Sequence, residues 1–340
     1  MKHVYIDPSS HVYLDNVLFK KDTKYNRDNA LSAWYYLKEY CLEKNISVQT
    51  IDFWNPATAT NEDVYVSFDH KFFLRKIYWK MRNKNYPIVS AKKFKKSIVF
   101  HFEPPVVMPE IRYLVKGTVK MYDKVFFTWE INDAKAEYFH TPQAHEGIFL
   151  EYWENKNRGF TMIINSNRKT FFRYKELLTE RVRAILSFSK TNDIDLYGVG
   201  WDKPPLFPYW FQKNKIKKVY KGSIEDKYKV LSKYTFAFAF ENCELPGYIT
   251  DKIFDCFYAG AIPIYLGAPN IAEYIPAHSF IHMRDFSNYE SLRKFLKSLS
   301  EKKIAEYKEN GRRFLESEQY RQFGKEHFAK IFVEACKSNA

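Results

Sequence analysis

Strand-like and helix-like segments alternate along nearly the whole of this chain, with no internal repeat and no low-complexity tract between them. That alternation constrains the fold more than any other feature, because strands separated by helical crossovers pair in parallel and bury both faces of their sheet. His3-Val4-Tyr5-Ile6 reads as a strand, 29–43 as a helix and 47–51 as a second strand, which makes a β-α-β unit. Strands at 64–68, 97–102 and 124–129 continue the pattern. A polar stretch, Glu154-Asn155-Lys156-Asn157-Arg158-Gly159, then interrupts it. Alternation resumes with Phe160-Thr161-Met162-Ile163-Ile164, a helix at about 174–189, a strand at 195–198, a strand at 234–240, a helix from Asp251 and a strand at 261–266. Two α/β domains of Rossmann-like, doubly wound type are predicted, 1–157 and 158–340, the second ending in helices. Asn270-x-x-Glu273 and Ser287-x-x-Glu290 have the form of capping boxes and read as helix starts.

A length of 340 residues fits two domains with sizeable cores. Apolar residues at 46% and charged residues at 28% exclude a disordered chain. Cys41, Cys243, Cys256 and Cys336 form no C-x-x-C pair, which argues against a zinc ribbon or a disulfide framework and fits a reducing compartment. No run approaches 18 apolar residues, and the first residues lack an apolar h-region, so a cytoplasmic protein is expected. A net charge of +14 favours anionic partners: nucleic acid, an anionic membrane met peripherally, or a phosphorylated small molecule. No RNP1 box, KH loop or clustered basic tract is present, so nucleic acid is the weakest of the three.

The most informative stretch is 236–269, in which a buried strand enters a polar loop and then a helix. Thr250 stands where an N-cap belongs, Asp251 and Lys252 open the helix, and Gly260 closes it. A helix N-terminus at the carboxyl end of a sheet offers unpaired N–H groups to an anion, and Lys252 adds a point charge. An ordinary strand-helix unit with a solvated lysine has the same spacing.

The residues Phe238, Phe240, Glu241, Asn242, Tyr248, Ile249, Thr250, Asp251, Lys252, Ile253, Ala259, Gly260, Ile262, Pro263, Ile264, Tyr265, Gly267 and Pro269 match a long signature. It resembles the donor-binding segment of the α1,3-fucosyltransferases of glycosyltransferase family 10. The resemblance implies a GT-B fold, two Rossmann-like domains facing each other across a cleft, and GDP-fucose as donor substrate. It implies that Tyr248, Asp251 and Lys252 bind the donor, the carboxylate at the ribose and the lysine at the pyrophosphate. The acid is Asp251 here, one methylene shorter than the Glu more usual in the family. Glu241, Asn242 and Thr250 are supporting residues, the first two bracing the loop. The block 176–201 is similar to one in which an Arg reaches the donor phosphates. Arg181 is the choice because it shares a helix face with Ile185 and Phe188, with Arg183 and Arg173 as alternatives.

In the first half, Glu103-Pro104-Pro105-Val106-Val107 follows a strand, and the prolines stiffen the loop that holds the carboxylate at the sheet edge. The segment resembles one whose Glu is the family's general base, so Glu103 is the catalytic candidate. Asp193-Ile194-Asp195 has the form of a metal-binding D-x-D, but a GT-B site offsets diphosphate charge with helix N-termini and Lys/Arg, so no essential metal is expected. His101, His140 and His145 read as structural. The resemblance thus implies an inverting transferase moving L-fucose to a glycan hydroxyl, the 3-hydroxyl of N-acetylglucosamine being the favoured acceptor. The alternatives are another GDP-sugar-dependent GT-B transferase and a basic, non-catalytic RNA- or membrane-binding protein.

Overall fold

The computed structural model describes residues 1–108, 115, 117–170 and 175–337. Two compact units result, one made of Met1–Ala144 with the chain from Arg321 onward, the other of His145–Tyr320.

The first unit is built on a six-stranded, all-parallel sheet of order β2-β1-β3-β4-β5-β6. Its strands are β1 (Lys2–Asp7), β2 (Ile46–Thr50), β3 (Val64–Phe68), β4 (Lys96–His101), β5 (Lys124–Phe127) and β6 (Ala136–Tyr138). Every residue of β3 and β4 is buried, as expected for strands covered on both faces. Helix α1 (Ser32–Glu43) joins β1 to β2, and α2 (Phe73–Arg82) follows β3. One face of the sheet is covered by α1 and by the Lys325–Lys337 helix, whose Phe328 ring lies 5.5 Å from Trp34 and 5.4 Å from Phe100.

The second unit carries a five-stranded, all-parallel sheet of order β11-β10-β9-β7-β8. It comprises β7 (Gly159–Ile164), β8 (Ile194–Tyr197), β9 (Tyr234–Phe240), β10 (Ile262–Leu266) and β11 (Ile281–His282). Helix α3 (Leu178–Ser189) links β7 to β8, and α4 (Asp251–Ala259) links β9 to β10. Gly260 takes a left-handed φ of +69° to end α4, and a Cβ there would lie 2.7 Å from the Trp153 ring. Both conformation and space therefore demand glycine.

The division differs from the expected 157/158 boundary at both ends. Residues 145–157 belong to the second unit because Phe149 N donates to Tyr258 O at 2.9 Å and Arg158 bonds the carbonyls of Tyr152 and Ala259 at 2.8 and 3.0 Å. The polar stretch is thus folded onto α4. The Lys325–Lys337 helix belongs to the first unit, because Phe328, Phe332 and Cys336 complete its core. Capping differs too. Asn288 and Ser291 form the capping box, one residue beyond Ser287 and Glu290, while Asn270 precedes only a single 3-10 turn, Ile271–Glu273.

Candidate functional site

In each sheet the chain leaves one strand to one side and returns on the other, and ligands of open α/β sheets gather at the carboxyl ends beside that switch. The switch lies between β7 and β9 in the second unit and between β1 and β3 in the first.

In the second unit the carboxyl end of β9 delivers Glu241, which is fully buried. Burial of a carboxylate demands partners, and three surround it. Glu241 accepts from Thr250 N at 2.8 Å, from Thr250 Oγ1 at 2.7 Å and from Lys252 Nζ at 3.0 Å. Thr250 holds the N-cap position with extended backbone, yet its hydroxyl serves Glu241 instead of capping α4. Lys252 Nζ also donates to Thr250 Oγ1 at 2.7 Å, and its side chain keeps 27% exposure. The ammonium is thus tethered at the first turn of α4 by a buried carboxylate. Gly267, after β10, lies so close that a Cβ would meet Glu241 Cγ at 2.5 Å and Tyr265 Oη at 2.4 Å. That approach is the physical reason for glycine in the Tyr265-x-Gly267 pattern.

Arg181 is buried on α3 and donates to Phe240 O at 2.6 Å and to Asn242 Oδ1 at 3.0 Å. Burial pushes its guanidinium down to about 10, with the charge of Glu241 pulling the other way. Asn242 also accepts Leu177 N through its carbonyl at 3.0 Å. Arg183 stands exposed on another face, bonded to Tyr209 at 2.9 Å and paired with Glu180, and Arg173 lies outside the described residues. Tyr248 is buried. Asp251 is exposed, with Lys227 Nζ at 3.5 Å and Lys252 Nζ at 3.8 Å. Lys227, absent from the sequence reading, also grips buried Asp255 at 2.8 Å. Arg284 was missed as well; it bonds Glu244 at 2.8 Å and Gly267 O at 3.0 Å. Neither carries a local sequence signal.

In the first unit Glu103 sits just past β4, on a pocket of about 390 Å³ that is also lined by Ser9, Ser10, Asp69, Lys71, Arg75 and Trp79. Asp69, at the end of β3 with a φ of +62°, accepts the backbone N–H groups of Phe102 and Glu103 at 2.8 and 3.0 Å. It therefore pins the loop that presents Glu103. Burial raises the Asp69 carboxyl to about 7, the Glu103 charge adding to the rise. Beneath the pocket, buried Lys71 donates to the carbonyls of Asp7, Phe68 and Asp69 and lies 3.4 Å from the Asp7 carboxylate. Tyr65 and Tyr86 hydroxyls donate to that carboxylate at 2.7 and 3.0 Å. This buried polar pedestal locks the ends of β1 and β3 together.

Asp193 is held by Arg293 at 2.8 Å and Lys297 at 2.9 Å, and Asp195 by Tyr234 at 2.6 Å and Lys221 at 3.3 Å. Both carboxylates are committed to protein cations and a phenol. Among the described residues no group of three or more His, Cys, Asp or Glu is placed to hold a metal ion. The four cysteines are buried and form no disulfide. His101 is stacked on Phe127 inside the sheet, burial pushing it down to about 3, while His140 bonds Tyr138 and Gln322. His145 packs against Phe149 and Tyr258.

Two all-parallel sheets with these switch points define a GT-B glycosyltransferase fold. A crystal structure of an α1,3-fucosyltransferase with GDP superposes with a TM-score of 0.56 at 14% identity, covering 100% of this chain and 91% of that one. Anabaena HepE, solved with UDP and glucose, gives 0.57 at 11% identity over the whole of both chains. The family model for glycosyltransferase family 10 (fucosyltransferase), C-terminal part, matches residues 153–338. The chain belongs to glycosyltransferase family 10. It is 36% identical over 83 residues to the Helicobacter pylori α-(1,3)-fucosyltransferase FucT, 24% of this chain and 17% of that protein. It is 42% identical over 71 residues to mouse 4-galactosyl-N-acetylglucosaminide 3-α-L-fucosyltransferase 9, 20% of each. These alignments thus span a fifth or less of the relatives' own lengths.

Proposed function

We propose that this chain is an inverting fucosyltransferase that transfers L-fucose from GDP-fucose to a glycan hydroxyl, with the 3-hydroxyl of an N-acetylglucosamine unit as acceptor. The observation that carries this reading is the Glu241-Thr250-Lys252 assembly at the first turn of α4, in a chain of family 10. Its ammonium and helix N-terminus suit a diphosphate, whose charge grows as GDP departs. Arg181 adds positive charge from α3, while Tyr248 and Asp251 serve the nucleoside. Glu103 takes the proton of the acceptor hydroxyl as that oxygen attacks C1 from the face opposite GDP. No metal takes part in this scheme, since protein cations offset the charge on the leaving group.

Calorimetric titration with GDP, followed by transfer assays that pair GDP-fucose and GDP-mannose with N-acetyllactosamine, tests the reading. Binding of GDP with turnover of GDP-fucose alone, and a product linked α1,3, is the expected result. Turnover of GDP-mannose in its place would reassign the donor, and failure to bind GDP would overturn the site.

A further inference from the structure

The outer face of α2 is built against the usual rule for a helix on a sheet. Phe73, Leu74, Tyr78 and Met81 are 65%, 77%, 50% and 80% exposed. At 100° per residue they share an arc of roughly 140°. The opposite side faces the fold, with Trp79 buried and Lys76 Nζ bonded to Val89 O at 2.7 Å. Lys80 and Arg82 stand on the two flanks of the exposed apolar arc. Ile88, 45% exposed, follows shortly after. From residue 71 to residue 102 the sequence holds ten Lys or Arg and no Asp or Glu, an interrupted basic cluster that corrects the expectation of none.

We propose that α2 is a membrane-docking helix that lies in the interface of an anionic bilayer, its apolar arc among the lipids and Lys80, Arg82 and Lys84 at the headgroups. Apolar side chains between basic ones on a short surface helix match the chemistry of such an interface, where the two attractions add. A second copy of this face is a poor partner, because it would set two acid-free basic segments against each other. The inner side of α2 contributes Arg75 and Trp79 to the pocket that holds Glu103. Docking would therefore hold that pocket within about one helix diameter of the lipid surface, roughly 10 Å. On the function proposed above, in which the pocket takes the acceptor, the acceptor class is a glycan carried on a lipid anchor.

The test is co-sedimentation of the full chain with vesicles of phosphatidylcholine alone or mixed in equal parts with phosphatidylglycerol. Binding to the mixed vesicles alone, weakened by salt, is expected. Lys80→Gln/Arg82→Gln should weaken it roughly fivefold per charge. Leu74→Gln/Met81→Gln should weaken it by roughly tenfold or more, and both variants should keep the wild-type melting temperature and GDP affinity. A control in the second unit, Phe207→Ser/Trp210→Ser/Phe211→Ser, removes another exposed aromatic group, 62%, 59% and 70% exposed. It should leave vesicle binding intact. Binding lost only in that control, equal binding to neutral vesicles, no vesicle binding, or a dimer in ultracentrifugation that the α2 variants dissolve would each overturn the proposal. Loss of GDP binding by the wild type would instead count against the proposed function and leave the docking result standing.

Discussion

Lys252 Nζ donates to Glu241 Oε2 across 3.0 Å, and the acceptor side chain is fully buried. The lysine thus has two tasks, compensating a buried carboxylate and presenting charge at the first turn of α4. Lys252→Ala removes both. GDP affinity should fall roughly tenfold or more, the value of a charge-assisted hydrogen bond. The melting temperature should fall with it, because Glu241 keeps only its Thr250 bonds. Calorimetry and thermal unfolding on one preparation check both, and unchanged GDP affinity would refute the donor assignment.

Arg181 is more deeply committed to the fold, with its guanidinium bonded to Phe240 O and Asn242 Oδ1. Arg181→Ala leaves the buried Phe240 carbonyl and the half-buried Asn242 amide oxygen without this donor and should cost about 2–4 kcal/mol in denaturant unfolding. A stability equal to wild type would show that these bonds are absent in solution. Any loss of GDP binding in this variant is meaningful only under conditions where it remains folded.

The strands were legible because the sheets are parallel and buried on both faces, so β3, β9 and β10 stand out as nearly continuous apolar runs, broken only by Ser67 and Thr235 among polar residues. Edge strands β6 and β11, three and two residues long, are too short to carry a period. Helix α2 is one-sided in sequence, but its apolar arc of Phe73, Leu74, Tyr78 and Met81 faces outward, so the pattern does not say which side packs on the fold. Periodicity marked the Lys325–Lys337 helix as amphipathic, but a pattern says that a face is buried and not against which sheet. At the site, the neighbours Thr250, Asp251 and Lys252 were visible as a unit. Their anchor on Glu241, and the diversion of the Thr250 hydroxyl from capping, depend on the return of the loop after β9. Asp69 gave no signal, since it is separated by more than thirty residues from the loop it pins and is one acid among many.

Chelation should leave turnover intact. Asp193 and Asp195, the acids with the spacing of a metal motif, are engaged by Arg293, Lys297, Lys221 and Tyr234. A metal would have to displace those cations. Initial rates after dialysis against EDTA should match those in untreated enzyme, and loss of activity restored by Mn²⁺ would identify these two carboxylates as ligands after all.

Asp69 gives stability a pH dependence of defined sign. Its carboxyl is raised from 3.8 to about 7, chiefly by burial and then by Glu103. Between those values the folded protein keeps a proton that the unfolded chain has released. The contribution to stability is therefore largest below about 4, falls as pH rises through the window and levels off above about 7. Asp69→Asn retains an oxygen for the two N–H groups but cannot titrate. Unfolding free energies measured from pH 4 to 8 should show the fall in wild type and a flatter profile in the variant; parallel profiles would place the titration elsewhere.

Glu103→Gln separates chemistry from binding. A general base acts on the acceptor proton only in the transition state, so its loss should lower kcat by roughly 100-fold or more. The amide is nearly isosteric, and Asp69 holds this loop through the backbone N–H groups of Phe102 and Glu103, which the substitution leaves in place. The melting temperature should therefore fall little, because the backbone anchors stay and the amide keeps the shape and an acceptor oxygen of the carboxylate. GDP-fucose affinity should hardly move, because the diphosphate is assigned to Lys252 and Arg181. A carboxylate whose role is structural gives the reverse outcome: a depressed melting temperature with kcat nearly intact in the folded fraction. All three quantities can be measured on one preparation, and a near-normal kcat would remove Glu103 from the mechanism.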